Sequence, residues 1–337
     1  MSTSRAVSAL VCVLLVGCSK PGAVQSGPRV RIAVGGQSQL VYLPTTLADR
    51  LGYYRDAGLD VTLEEVPGGA KALEALFGGS ADVVSGFFDH TVQMAADGRR
   101  LQAFAAMLRY PGLVLVASPA GKKKLGSVRD LNGANVGVSA PGSSTHLLLN
   151  HLLVKNGLAP GAASAIGVGM SAGSVAAMEA GRVDAAVMAE PAISQLEKRR
   201  GALQVLADTR TVEGVRQVYG VDAYPAAVLY SSAEWVGKNE VLAERLAGAM
   251  RRTLEWIQSH SAAEIAAKMP VEFQGGDAAM YAQAIERSKG MFSPDGVLAP
   301  EAAEAALRVM GESMEKVRNA KIDVRECYTN RFVSGKK

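Results

Sequence analysis

Two stretches combine residue types and spacings that could do chemistry. In GVGMSAG (167–173), Gly169-Met170-Ser171-Ala172-Gly173 matches G-x-S-x-G, the pattern of a serine-hydrolase nucleophile elbow. The same glycines approximate a dinucleotide-binding loop. A plainer reading is a strand end, a turn and a helix start with exposed backbone N–H groups. The second stretch is SAPGSSTH (139–146), with three consecutive hydroxyls, Ser143, Ser144 and Thr145, at an expected helix start. One of them can cap the helix; the others, beside free N–H groups, suit a carboxylate, sulfonate or similar anion. His146 falls in the first turn, where it could donate to an anion or stay solvated.

The hydrolase reading lacks partners. His260 is the only histidine after Ser171, and it sits in a strongly helical run. The dinucleotide reading lacks an acidic residue closing a following strand at the proper distance, and these glycines follow the second strand of their lobe. Asp89 and Glu190 each come just after an expected strand, where a carboxylate caps a helix. If either faces a ligand instead, that ligand carries an amine or another donor. Phe87 and Phe88 offer an apolar wall, or one of them belongs to the core.

The elements that must position these residues follow from apolar periodicity. Strands are expected at 30–34, 59–66, 81–85 and 101–108, alternating with helices at 43–51, 70–77 and 89–96. The order then restarts, with strands at 134–138, 165–168 and 185–189 and helices at 143–155 and 171–180. ALFGGSADVVSG (75–86) and AMEAGRVDAAVM (177–188) align at a constant offset, Gly79 on Gly181 and Asp82 on Asp184. In each pair the glycine ends a helix in the left-handed conformation and the aspartate closes the turn into the next strand. The chain therefore reads as α/β, with two similarly built lobes of mostly parallel sheet. Ligands bind such sheets outside the carboxyl ends of the strands. Strands at 113–118 and 224–232 make two crossings between the lobes, a hinge. Long helices close the chain at 240–260, 262–269, 277–288 and 302–317.

Composition bounds the rest. The 337 residues carry a net charge of +4, too mild to argue for nucleic acid, and aromatics make up 5%. Arg5 precedes an apolar run and LVGC (15–18), an export signal ending in a lipobox with Cys18 as the acylated residue. SKPGAVQSGP (19–28) suits a flexible tether. Beyond the leader and Cys18 only Cys327 remains, so no disulfide framework is possible, and no cysteine/histidine spacing suggests zinc. Cys327 reads as a structural thiol, and no metal or cofactor is expected.

YLPTTLADRLGYYRDAGLDVTL (42–63), ALFGGSADVVSGFFDH (75–90), VGVSAPGSSTH (136–146), GRVDAAVMAEPAIS (181–194) and FSPDGVLAPE (292–301) give the chain a wider likeness. In order and spacing it resembles the extracytoplasmic solute-binding proteins of ABC importers, in the nitrate/sulfonate/taurine branch with its thiamine-precursor relatives. The resemblance implies a type II periplasmic-binding fold, capture of a small solute by lobe closure, delivery to permease transmembrane subunits, and no catalysis. It also implies a cleft lined by Gln37, Ser38, Gln39, Gly69, Ser85, Phe87, Ser143, Ser144, Thr145 and Glu190, to which the loops add His90 and His146. The expected division is signal peptide 1–17, tether 18–28, first lobe 29–117 with 225–337, and second lobe 118–224. The solute is expected to be a small organic anion or zwitterion. A ligand-presenting sensor, or a vitamin-precursor binder or pathway enzyme on the same fold, are the alternatives. The cysteine-rich motif of the related pyrimidine synthases is absent from the sequence.

Overall fold

The computed structural model describes residues 27–334. In chain order its elements are β1 (Arg29–Val34), α1 (Leu43–Arg50), α2 (Tyr53–Asp56), β2 (Asp60–Glu65), α3 (Gly69–Phe77), β3 (Val83–Phe87), α4 (Asp89–Ala96), β4 (Leu101–Ala106) and β5 (Leu113–Ala117). Then come β6 (Asn135–Val138), α5 (Ser144–Lys155), β7 (Ser164–Gly167), α6 (Ala172–Glu179), β8 (Ala185–Ala189), α7 (Ala192–Arg200), β9 (Val205–Asp208) and α8 (Val212–Tyr219). The chain ends with β10 (Ala227–Ser232), α9 (Ala233–Lys238), α10 (Glu240–Ser259), α11 (Ala262–Lys268), α12 (Ala278–Ser288), α13 (Pro300–Ser313) and α14 (Glu315–Asn319).

The strands form two five-stranded sheets, ordered β2-β1-β3-β10-β4 and β7-β6-β8-β5-β9. Both follow one plan: second, first and third strands of the lobe in parallel, then an antiparallel guest, then the fourth strand. Each guest comes from across the chain crossing. β5 pairs with β8 and β9, and β10 pairs with β3 and β4. Residues 113–117, allotted to the first lobe from sequence, are thus hydrogen-bonded into the second sheet. The sequence pattern recognised the strand, but periodicity carries no information about which sheet accepts it.

Burial explains why the parallel strands were legible. β3 and β8 are buried at every position, as expected of central strands covered on both faces. β9, by contrast, is a four-residue half-exposed edge strand with a register shift against β5, and it, α7 and α8 were not read from sequence. The helix expected at 302–317 is two helices, because Met314 leaves the helical region between them. α10 buries Ala243, Leu246, Ala247, Met250, Leu254 and Ile257, one stripe at helical spacing. Cys327 is buried, and burial pushes its thiol up to about 11.

The repeat has a physical meaning finer than a turn. Gly79 and Gly181 end their helices with φ of 72° and 62°, the left-handed region. Asp82 and Asp184 do more than close the following turn: each clamps its lobe's first strand. Asp82 Oδ2 accepts from the Arg31 amide at 2.8 Å, and Asp184 Oδ2 from the Asn135 amide at 2.9 Å. In return the Asp82 and Asp184 amides donate to the Arg31 and Asn135 carbonyls. Burial alone would raise both carboxyls, but these hydrogen bonds, with the Arg31 guanidinium at Asp82, hold them below the ordinary value. Among the described residues no helix is long and apolar enough to cross a membrane.

Candidate functional site

The carboxyl ends of the parallel strands from both sheets converge on one gap, and the loops there are in direct contact. Ser143 stands at the N-cap position of α5, yet its hydroxyl makes no cap bond. It accepts instead from the Ala70 amide, in the first turn of α3 in the other lobe, at 2.9 Å. Ser144 Oγ donates to Asp89 Oδ1 at 2.8 Å, again lobe to lobe. Thr145 turns inward: its Oγ1 accepts from the Ser139 amide at 2.9 Å and fixes the loop. His146 Nδ1 accepts from the Gly142 amide at 3.0 Å, so that nitrogen is unprotonated, and burial lowers the imidazole's pKa.

From the first lobe, Ser38 Oγ lies 2.7 Å from Ser171 Oγ, and Gln39 Nε2 donates to Ser171 Oγ at 3.2 Å. The serine of GVGMSAG is therefore a lobe-to-lobe contact, its hydroxyl engaged by serine and glutamine. Gln37 reaches back to Thr46, and Ser85 to Thr45, both inside their own lobe. Gly69 is required by a close approach: a Cβ there would meet His90 Cε1 at 2.7 Å. His90 is fully buried, with Nδ1 3.2 Å from the Tyr230 hydroxyl. Its Nε2 and Gln39 Oε1 have no hydrogen-bond partner among the described residues.

Glu190 is bound up in structure. Oε2 accepts from the Ser194 amide and hydroxyl, capping α7, and Oε1 meets the Arg210 guanidinium at 3.1 Å. Arg287, from α12, approaches the same oxygen at 3.5 Å. The Glu190 backbone carbonyl accepts from the Leu40 amide across the gap. Glu190 thus links the lobes through its main chain while both carboxylate oxygens are occupied by protein.

Asp89 is different. It heads α4 without capping it, is 3% exposed, and its bond to Ser144 spans the lobes. Burial raises its carboxyl, against the opposing pull of His90 and the Ser144 hydroxyl.

A cavity of about 10 Å³, room for about one water, lies between Gly69, Phe87, Ser143, Ser144 and Thr145. Tyr42, Leu113 and Met170 complete its apolar side. Tyr42 and Leu113 were not among the expected site residues; each precedes or begins an element, and no local pattern marks an apolar residue as cleft-facing. Larger cavities exist: about 600 Å³ beside 117–126 and 202–204, and about 490 Å³ at the crossings near Arg109 and Asp222. The first lies at the amino-terminal edge of its parallel strands, the wrong end for a ligand. We assign the candidate site to the small gap, where buried polar groups from both sheets converge. A solute enters it only by replacing lobe-to-lobe hydrogen bonds.

Comparison with known proteins agrees with this architecture. The family described as NMT1/THI5 like matches residues 39–263. A solved structure from Bordetella bronchiseptica RB50 is 39% identical, covering 91% of this chain and 96% of that one, with a TM-score of 0.85. The alkanesulfonate-binding protein SsuA from Xanthomonas axonopodis pv. citri, bound to MOPS, superposes with a TM-score of 0.68 at 20% identity, covering 90% of this chain and 98% of that one. The periplasmic nitrate-binding protein NrtA from Synechocystis PCC 6803 gives 0.64 at 15% identity, over 90% and 86%. These last two likenesses concern the fold alone. The chain belongs to the NMT1/THI5-like family and has the two-lobed fold of the solute-binding proteins of ABC import systems.

Proposed function

We propose that this protein is the extracytoplasmic solute-binding component of an ABC importer, held at a membrane through an acylated Cys18, which lies outside the described residues. It captures a small organic anion or zwitterion between its lobes and presents it to permease transmembrane subunits. The observation that carries the reading is the convergence of Ser143, Ser144 and the α3 N-terminus on one buried gap. Hydroxyls and helix-start amides hold an anionic head group without any basic side chain. Gln37, Ser38, Gln39, Gly69, Ser85, Phe87, His90, His146 and Glu190 complete the proposed cleft. Gly69, Phe87, Ser143, Ser144 and Thr145 form its wall, while Ser85 and Glu190 support it from behind.

The test is a thermal-shift screen of the purified protein against small sulfonates, carboxylates, nitrate and their amino derivatives. A ligand that binds only the folded protein raises Tm with the logarithm of its concentration. The expected result is a saturable shift abolished by Ser144→Leu, whose ligand-free Tm also falls because the gap is overfilled and the buried Asp89 carboxylate loses its donor. A shift that survives that substitution removes the loop from the site.

A further inference from the structure

We propose that the solute carries a protonated nitrogen, and that Asp89, beside aromatic side chains at the lobe boundary, is the residue that receives it. The inference rests on the cleft reading above and specifies its ligand as a zwitterion. Asp89 is a buried carboxylate that accepts from the hydroxyl of Ser144 in the opposite lobe. That bond joins two small cavities: Ser144 lines the one with Tyr42 and Phe87, and Asp89 lines the one with Tyr219 and Tyr224.

Tyr42, Phe87, Tyr219 and Tyr224 line these two cavities and Tyr230 packs against His90, all less than 9% exposed. Tyr219 and Tyr224 stack at 4.3 Å, and Tyr42 meets Phe87 edge-on at 6.1 Å. Burial, and after it the Asp89 charge, raises the phenols of Tyr42 and Tyr219. Tyr224 and Tyr230 are likewise raised by burial first, with the Asp89 charge contributing. The Asp89 charge is thus felt at all four phenols, and the Tyr230 hydroxyl bonds the neighbouring His90. Immediately beside Asp89 lies the buried His90, whose Nε2 has no hydrogen-bond partner among the described residues.

Neither cavity is lined by lysine or arginine. Burial lowers the pKa of His151, which lines one cavity, and of His90, next to Asp89, so both imidazoles stay neutral near pH 7. A purely anionic solute would thus be enclosed next to a carboxylate with no basic side chain to offset either charge. A cationic nitrogen reverses the sign. It pairs with Asp89 and lies against aromatic faces, both contacts strengthened where water is excluded. The anionic end of the same molecule then meets the Ser143 loop and the start of α3. Opposite ends of one zwitterion are recognised by groups that already lie next to each other across the gap.

The experiment uses matched pairs that differ only in the nitrogen: taurine against ethanesulfonate, and β-alanine against propionate. Each is titrated calorimetrically into the wild-type protein and into Asp89→Asn, an isosteric change. The expected result is binding of an amino member, with its nitrogen-free partner at least roughly tenfold weaker, and a loss of roughly tenfold to a hundredfold in Asp89→Asn. The wild-type comparison needs no variant and stands even if the substitution perturbs folding. Equal binding of a nitrogen-free anion, or an amino ligand indifferent to Asp89→Asn, overturns the inference and leaves the solute-binding reading intact. Absence of binding across both pairs, with nitrate and larger sulfonates also silent, overturns both.

Discussion

Asp89 and Ser144, 55 positions apart, meet across the lobes through a 2.8 Å hydrogen bond, and both are buried. In the proposed binding reaction, a carboxylate and a hydroxyl so placed are the contact that the solute displaces. The lobes therefore exchange protein–protein bonds for protein–solute bonds, and net affinity is the difference between them. The predictions below concern the groups that hold this arrangement together.

Arg210→Met removes the guanidinium facing the 2%-exposed Glu190. Ser194 and Arg287 remain nearby, so the cost falls below that of a fully orphaned buried charge, at about 2 kcal/mol. Urea denaturation should show a lower midpoint with an unchanged slope. Adding Glu190→Gln should recover part of the loss; a double variant no more stable than Arg210→Met would mean the pair is not coupled.

Arg287→Ala tests the outer latch between α12 and α7, where the guanidinium meets Ser194 Oγ and, at 3.5 Å, both Glu190 and Glu197. Arg287 is half exposed, so the contact is weak and salt-screened. Affinity for the solute should drop by up to about fivefold, mainly through faster release, with little change in Tm. The difference from wild type should shrink as salt is raised. An effect indifferent to salt would argue against an electrostatic latch.

His146 supplies a pH dependence. Its ordinary pKa of 6.5 is lowered in the folded protein by burial, and its Nδ1 accepts from the Gly142 amide. Below pH 6.5 the unfolded chain binds the proton more readily than the folded one. This contribution to stability is complete above that pH and is lost as pH falls toward the folded value. His146→Gln should flatten the stability profile between pH 7 and pH 5; a profile as steep as wild type would place the dependence on His90 or His151, which are lowered by burial too.

Cys18→Ala should release the protein into the soluble extract of the producing cell, since acyl chains supply the proposed attachment. Fractionation with immunodetection reads this directly. Retention of the variant at the membrane would end the anchoring proposal.

The alternation of strands and helices, and its restart at 134, were fixed by local physics. Parallel strands covered on both faces must be continuously apolar, and helices between them must carry one apolar stripe. Gly79 and Gly181 announced themselves because a left-handed helix end disfavours every residue with a Cβ. The loops that reach the gap followed from the carboxyl-end rule, so Gly69, Phe87, Ser143, Ser144 and Thr145 were nameable without coordinates. Tertiary structure decided what those residues do. The Ser143 hydroxyl, 73 positions from its partner amide, could as well have capped its own helix; only the opposing lobe decides between the two. The same holds for Glu190, which became a structural carboxylate once Arg210 and Arg287 were brought to it, and for Asp89, which did not cap its helix. The transfer of β5 to the second sheet was likewise undetermined, because an apolar strand satisfies its hydrogen bonds equally well in either neighbour; residues 225–337 were placed with the first lobe from sequence, and β10 joins its sheet. Side-chain type and spacing set what each residue can bond to. Which partner it meets depends on segments far away in the chain, and that information exists only once the two sheets face each other.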